Sequence, residues 1–272
     1  MNLRTVFMWS IVAVVFVCMA VFVAGCKDDE TSGPSVTPVP DNIFPLVAGH
    51  YFEYNGWLTQ NDTETKIAAS EATYYAKWTI GTTIPVTAIF PNPPFTVTGS
   101  AVLVYDTTKI PGIGVTSKFT PVFVKYDTAN AQYEYLTNIG LFYRTFQVKS
   151  GANIRNDSLR FIILAKPRSG IGVKFECFNE TFDGTVSGVA SPVTLKITGE
   201  FVRTEVVTVG STDYSAYYVE ISRLITVGTT PVATGVTAKL WVVENVGPVK
   251  MHLIGDAENH GNYRVMTSKN FP

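Results

Sequence analysis

From about residue 193 to 255 the chain alternates apolar and polar positions with a period of two, the signature of half-buried strands. In Leu195-Lys196-Ile197-Thr198-Gly199-Glu200-Phe201 the apolar residues face one way and Lys196, Thr198 and Glu200 the other. The apolar positions then shift to Val202, Thr204 and Val206, which predicts a β-bulge near Phe201. A second inward row runs through Tyr217, Val219, Ile221, Ile225 and Val227, with Glu220 and Ser222 outward. Val236, Ala238, Leu240 and Val242 form a third row, and Val249, Met251 and Leu253 a fourth, with Lys250 and His252 on its polar face. Gly- and Pro-bearing turn signals at 209–213, 227–231 and 245–248 separate the rows, so three long hairpins follow one another. Earlier strands are predicted at 50–57, 73–80, 100–106, 119–126, 140–149 and 159–166. Residues 63–76 are the one helix-like stretch, and their end reads better as strand. The expected fold is all-β: a strongly curved antiparallel sheet or open barrel-like meander. It forms one domain, with a boundary near 150–158 as the alternative. Outward Lys, Glu, Thr and Ser exclude a barrel that faces lipid.

The first residues follow a different rule. Arg4 precedes an unbroken apolar run to Ala24, the layout of a secretory signal helix. The run ends in Val23-Ala24-Gly25-Cys26, which resembles the lipobox of bacterial lipoproteins. That resemblance implies a cut before Cys26 and acyl chains, palmitate among them, on its thiol. The alternative is an uncleaved helix, since ~20 apolar residues would span a bilayer. Lys27, Asp28, Asp29 and Glu30 resemble the export signal that sends lipoproteins of one Gram-negative phylum to the cell surface. They imply an outer-membrane anchor facing the surface, with the periplasmic face as the alternative, and the lipoprotein-processing and export machinery as partners. Residues 31–41 hold three prolines among Ser and Thr and predict an extended tether. The expected organisation is a signal peptide at 1–25, anchor and tether at 26–41, and a β-rich exported domain at 42–272.

Charge and cysteine content narrow the picture. With 21 basic and 22 acidic residues and a net charge of −1, the chain offers nucleic acid no electrostatic footprint. Of the 3 cysteines, Cys18 leaves with the signal and Cys26 is acylated, so Cys177 is the remaining thiol and no internal disulfide is expected. Its strand-like setting, Lys-Phe-Glu-Cys-Phe, predicts a buried packing residue.

No residues stand in a catalytic, metal-ligating or cofactor-binding pattern. His50, His252 and His260 stand in no ligating spacing, and no Gly-x-Ser-x-Gly elbow announces a nucleophile. Residues 110–115 contain Gly-x-Gly without the third glycine of a dinucleotide site. Glu176, Glu180 and Asp183 could pair as glycosidase carboxylates, but proximity in an acid-rich chain carries no weight. An enzyme is not the expected reading.

Aromatic residues are the feature that remains. Phe44-Pro45-Leu46-Val47-Ala48-Gly49-His50-Tyr51-Phe52-Glu53-Tyr54 is similar to the opening of uncharacterised exported lipoproteins, although His50-Tyr51-Phe52 departs from their pattern. Trp241-Val242-Val243-Glu244-Asn245-Val246-Gly247-Pro248-Val249-Lys250 looks like their closing hairpin. The resemblance implies a lipoprotein-carrier-like curved sheet around an apolar cavity. Tyr51, Tyr54, Trp57, Tyr74, Trp78, Phe90 and Phe95 are the candidate ligand-binding aromatics, with ordinary core packing as the alternative. Residues 84–97 carry four prolines around Phe90 and Phe95, which excludes a central strand and suggests a lid. Asp106-Thr107-Thr108, Asp127-Thr128-Ala129 and Asp157-Ser158-Leu159 resemble the O-glycosylation motif of the same phylum, and equally suit β-turns. Two functions follow: an envelope lipoprotein that binds an apolar or carbohydrate ligand, or a structural protein of the cell surface that meets another protein.

Overall fold

The computed structural model describes residues 36–67, 73–85, 100–109, 118–142, 150, 153–154, 159–255 and 261–272. The signal peptide, Cys26, the export signal at 27–30, and Phe90 and Phe95 of the expected lid lie outside these residues. From Thr37 to Pro272 the chain forms one compact unit that contains every strand. The strands are β1 (Tyr51–Thr59), β2 (Thr73–Pro85), β3 (Ser100–Lys109), β4 (Lys118–Asp127), β5 (Gln132–Asn138), β6 (Asn153–Ile154) and β7 (Leu159–Ala165). They continue with β8 (Lys174–Val186), β9 (Val189–Val209), β10 (Thr212–Val227), β11 (Thr230–Val243), β12 (Gly247–Leu253) and β13 (Gly261–Lys269).

All belong to one antiparallel sheet in the order β6-β8-β9-β10-β11-β12-β13-β1-β2-β3-β4-β5-β7. The last strand therefore pairs with the first, Gly56 standing opposite Arg264 and Trp57 opposite Tyr263. Strand twist accumulated over so many strands curls the sheet on itself. β7 comes to lie beside β8, where Arg160 reaches Glu180 at 3.9 Å, although no ladder joins the two strands among the described residues. The all-β, barrel-like expectation holds.

Local chemistry explains the long hairpins. β8 turns into β9 through Ser187 and Gly188, both with positive φ (52° and 80°), the conformation a two-residue hairpin turn requires. On β9, Phe201 stands opposite Val219 and Arg203 opposite Tyr218, so Val202 is the extra residue of the expected bulge. Beyond the bulge the outcome differs from the expectation. Val206 is 69% exposed, whereas Val207 and Val209 are buried. The far half of the β9–β10 hairpin turns its other face to Trp241, whose indole N–H donates to the Glu205 carboxylate.

Three further differences have local causes. Of the strand expected at 140–149, the start belongs instead to a short 3-10 turn, Ile139–Phe142, after β5, and residues 143–149 lie outside the described residues. Val39, Ile43 and Phe44 are buried, so the chain expected to act as tether up to residue 41 already packs into the unit. There the Asp41 carbonyl accepts from the Tyr133 hydroxyl at 2.7 Å, and Asn42 donates to Asn245 at 2.6 Å. His252 lies on the outer side of β12, as its alternation predicts, but it is fully buried rather than solvated.

The filled part of the core lies under β8 and β9, where Val193, Leu195, Ile197 and Phe201 meet Phe175 and Phe178. Gly199 admits the Phe175 ring: a Cβ there would fall 2.3 Å from it. Cys177 is buried in this cluster, and burial together with Glu176 pushes its thiol up to about 12. A thiol held protonated is a packing residue rather than a nucleophile.

Candidate ligand cavity

The inward faces of the remaining strands join the same buried cluster but do not fill all the space they enclose. Between them lies a cavity of about 720 Å³, a volume typical of small-molecule sites. At liquid density it would hold roughly two dozen water molecules. Phe44, Pro45 and Leu46 close it at one side. Ile80 of β2, Val104 of β3, Val124 of β4 and Ile162 of β7 form one wall, and Ile221, Leu240 and Met251 form the other. Leu253, half exposed at the end of its inward row, and Ile254 mark its rim.

Residue parity divides the aromatic candidates. Tyr54 and Tyr74 face inward and are buried, and Trp78 lines the cavity. The Tyr54 hydroxyl donates to the Pro248 carbonyl at 3.0 Å, which ties its ring down as structure. The Trp78 indole N–H finds no acceptor among the described residues. Tyr51 and Trp57 occupy the opposite face. The Lys77 ammonium sits 3.6 Å over the Tyr51 ring, and Trp57 stacks on Tyr263 at 4.6 Å. The structure thus brings Tyr54, Tyr74 and Trp78 to one side of the sheet and leaves Tyr51 and Trp57 on the other. The walls are mostly aliphatic, with Phe52, Tyr135 and Phe142 as further aromatic members. Burial raises the Tyr135 phenol above its ordinary range, so it is a neutral wall residue.

Two residues that the sequence reading passed over carry charge into this space. Arg223 occupies the inward position between Ile221 and Ile225 on β10, and its guanidinium donates to the Phe142 carbonyl at 2.5 Å. Arg264 faces inward on β13 and is 8% exposed. Its Nε donates to the Tyr74 hydroxyl and to the Asn262 carboxamide oxygen, each at 3.3 Å. Tyr74 donates in turn to Asn262. The Tyr74 ring reaches this position because its partner across the ladder is Gly56, where a Cβ would lie 2.4 Å from the ring. Arg223 had a signal available, a lone cation in an apolar row. Arg264 had none, because on β13 the apolar Tyr263 and Val265 face out while Asn262 and Arg264 face in.

The outer face of the same strands is closed by a strap, residues 60–67. Asp62 pairs with Lys239 at 2.6 Å, and Glu64 with Lys250 at 3.1 Å and the Tyr263 hydroxyl at 3.1 Å. Trp57 donates its indole N–H to the Glu64 carbonyl at 2.8 Å. Beneath the strap the Thr59 hydroxyl meets His252 Nε2 at 3.2 Å. Burial, and then the nearby Lys239 charge, lower the basicity of this imidazole.

Elsewhere Glu176 pairs with Lys196 at 3.5 Å on the exposed face, and Glu180 is the partner of Arg160. Among the described residues no group of three His, Cys, Asp or Glu side chains gathers that could hold a metal ion.

No protein-family model matches the sequence, and no curated protein is similar to it. Solved structures resemble it in outline. A candidate lipoprotein from Parabacteroides distasonis shares 13% identity over 84% of this chain and 98% of its own, with a TM-score of 0.42. A candidate exported protein with a YmcC-like fold from Bacteroides fragilis shares 14% over 85% and 99%, with a TM-score of 0.44. The hypothetical lipoprotein YmcC from Escherichia coli shares 11% over 94% and 95%, with a TM-score of 0.30. Likenesses of this size carry no argument about activity or ligand.

Proposed function

We propose that this chain is an envelope lipoprotein, anchored through Cys26, whose β unit binds an apolar ligand inside its curled sheet. The observation that supports this reading is the cavity of about 720 Å³ with aliphatic walls. A packed protein interior leaves few voids larger than a water molecule, so a hollow of this size is a departure that binding explains. The walls favour an apolar ligand over a carbohydrate. Sugar platforms use exposed aromatic rings, whereas Trp241 and Tyr218 on the outer face are buried, the Arg203 guanidinium lying 4.4 Å from the Tyr218 ring centroid. Anchoring follows from the lipobox, since acyl chains on one cysteine give stable attachment when more than one is present.

The test is extraction of the natively produced protein, followed by mass spectrometry of the organic-soluble fraction and competition against a fluorescent apolar probe. A stoichiometric lipid or hydrocarbon, lost in an Ile221→Arg variant that folds, is the expected result. An empty cavity that no apolar probe enters would leave the structural, protein-binding role. For the address, Cys26→Ser should release the protein from membranes, and protease shaving of intact cells should clip the domain when residues 27–30 act as an export signal.

A further inference from the structure

The depth of the cavity can be read along β12, where Pro248 and Leu253 both line it. The Pro248 end is the closed one: at its neighbour Gly247 a Cβ would lie 3.2 Å from Cδ of Pro45. The Leu253 end is the rim, where that side chain is half exposed. From Pro248 to Leu253, at ~3.4 Å per residue, the depth is about 17 Å, and less where the strands tilt. An all-trans hydrocarbon chain advances ~1.25 Å per carbon, from bonds of ~1.5 Å opened to ~111°. About 13 carbons therefore reach from the closed end to the rim.

Volume and depth do not match for a single chain. A methylene group fills about as much space as a water molecule in the liquid, ~30 Å³. One chain of that length occupies roughly 400 Å³, little more than half of the 720 Å³ enclosed. Water would not settle the remainder, since Val104, Val124, Ile162, Ile221, Leu240 and Met251 offer it no hydrogen bond. Left empty, that space would forfeit the dispersion contacts of the walls around it. A second chain fills it. Two separate molecules would each lose translational and rotational freedom on entering, whereas two chains joined at one head lose it once.

Resting on the reading of the cavity as an apolar-ligand site, we infer that its ligand carries two hydrocarbon chains joined at one head, as a glycerolipid does. One chain lies against the wall of β2, β3, β4 and β7, and the other against the wall of β10, β11 and β12. The chain ends point towards Pro45, and the joined end stands at the rim beside Leu253 and Ile254.

The experiment uses residues 27–272, which include the whole compact unit from Thr37 to Pro272. Monododecanoylglycerol and didodecanoylglycerol share an uncharged head and differ in the number of chains, so charge plays no part in the comparison. Native mass spectrometry counts the molecules bound, and displacement of an apolar fluorophore ranks their affinities. The expected result is two molecules of the monoglyceride per protein chain at saturation, one of the diglyceride, and about tenfold or greater preference for the diglyceride. Val104→Trp narrows the bore from β3 and should reduce the monoglyceride to one per chain and abolish the preference. Leu240→Trp narrows it from the opposite wall and serves where Val104→Trp does not fold. One monoglyceride per unsubstituted chain, or equal affinity for the two lipids, overturns the inference and leaves the apolar cavity standing. Failure of both lipids and of the fluorophore to bind overturns the cavity reading itself. Two monoglycerides retained by a folded narrowed variant place the chains outside this cavity and overturn the inference as well.

Discussion

Leu240 and Trp241 are neighbours on β11 that face opposite ways, and their surroundings differ as much as two parts of one molecule can. Leu240 looks into the cavity, where space lies beside it. Trp241 is covered on the outside by the Glu205 carboxylate, by the Lys250 ammonium 4.0 Å from its ring centroid, and by Tyr218 at 4.9 Å between centroids. In most sandwiches and small barrels the inside is tightly packed and the outside is wet. Here the outer face of β10–β13 is the close-packed one, sealed by a strap and a bent hairpin, and the inner face is partly hollow. The sheet therefore does not need its interior filled in order to keep its shape.

Trp241→Ala removes a packed indole together with its cation and carboxylate partners, and should cost ~3–5 kcal/mol, measured as a shift of the denaturation midpoint. Leu240→Ala should cost about 2 kcal/mol or less, at the low end for such truncations, because one side of the side chain already faces space. A cost as large as that of Trp241→Ala would show that the cavity closes in solution.

The third effect depends on pH. Folding lowers the pKa of His252 below its ordinary 6.5, so the unfolded chain takes up a proton first as the solution is acidified. The stability from its neutral, buried state is complete above that ordinary value and is lost as pH falls from there towards the folded pKa. Groups around the ring include Lys239 and Lys250, which oppose its charging, Asp62 and Glu64, which favour it, and the neutral Thr59 and Tyr263. In His252→Phe this part of the acid slope should vanish from urea melts taken between pH ~5 and ~7. The smallest effect belongs to the strap's ion pairs. Glu64→Gln should cost ~0.2–1 kcal/mol and less in high salt, since Glu64 is half exposed.

Much of this architecture can be read along the chain, because burial on one face of a strand imposes its period directly on the residue types. The rows through Leu195, Val219, Leu240 and Met251 stand where alternation puts them, and so does the bulge after Phe201. Coverage on the second face leaves no such trace. Nothing in Gln60-Asn61-Asp62-Thr63-Glu64 says that this polar stretch folds over His252, so a histidine in an outward position reads as solvated. Parity also decides more than residue type does. Counting aromatics gathers Tyr51, Tyr54, Trp57, Tyr74 and Trp78 into one group, while the pleat sends Tyr51 and Trp57 outside. Arg264 is hidden for the opposite reason: on β13 the hydrophobic parity points outward, towards the strap.

The seam between β7 and β8 gives the curled sheet the mechanics of a split ring. Everywhere else, widening the circumference would tear a ladder of backbone hydrogen bonds. At the seam no ladder joins the described residues, and side-chain contacts such as the Arg160–Glu180 pair, both of whose members remain in contact with water, bridge it. Ile162, Ile163 and Leu164 line the cavity from β7 itself, so opening this seam enlarges the hollow while β7 keeps its ladder with β5 and every backbone pairing survives.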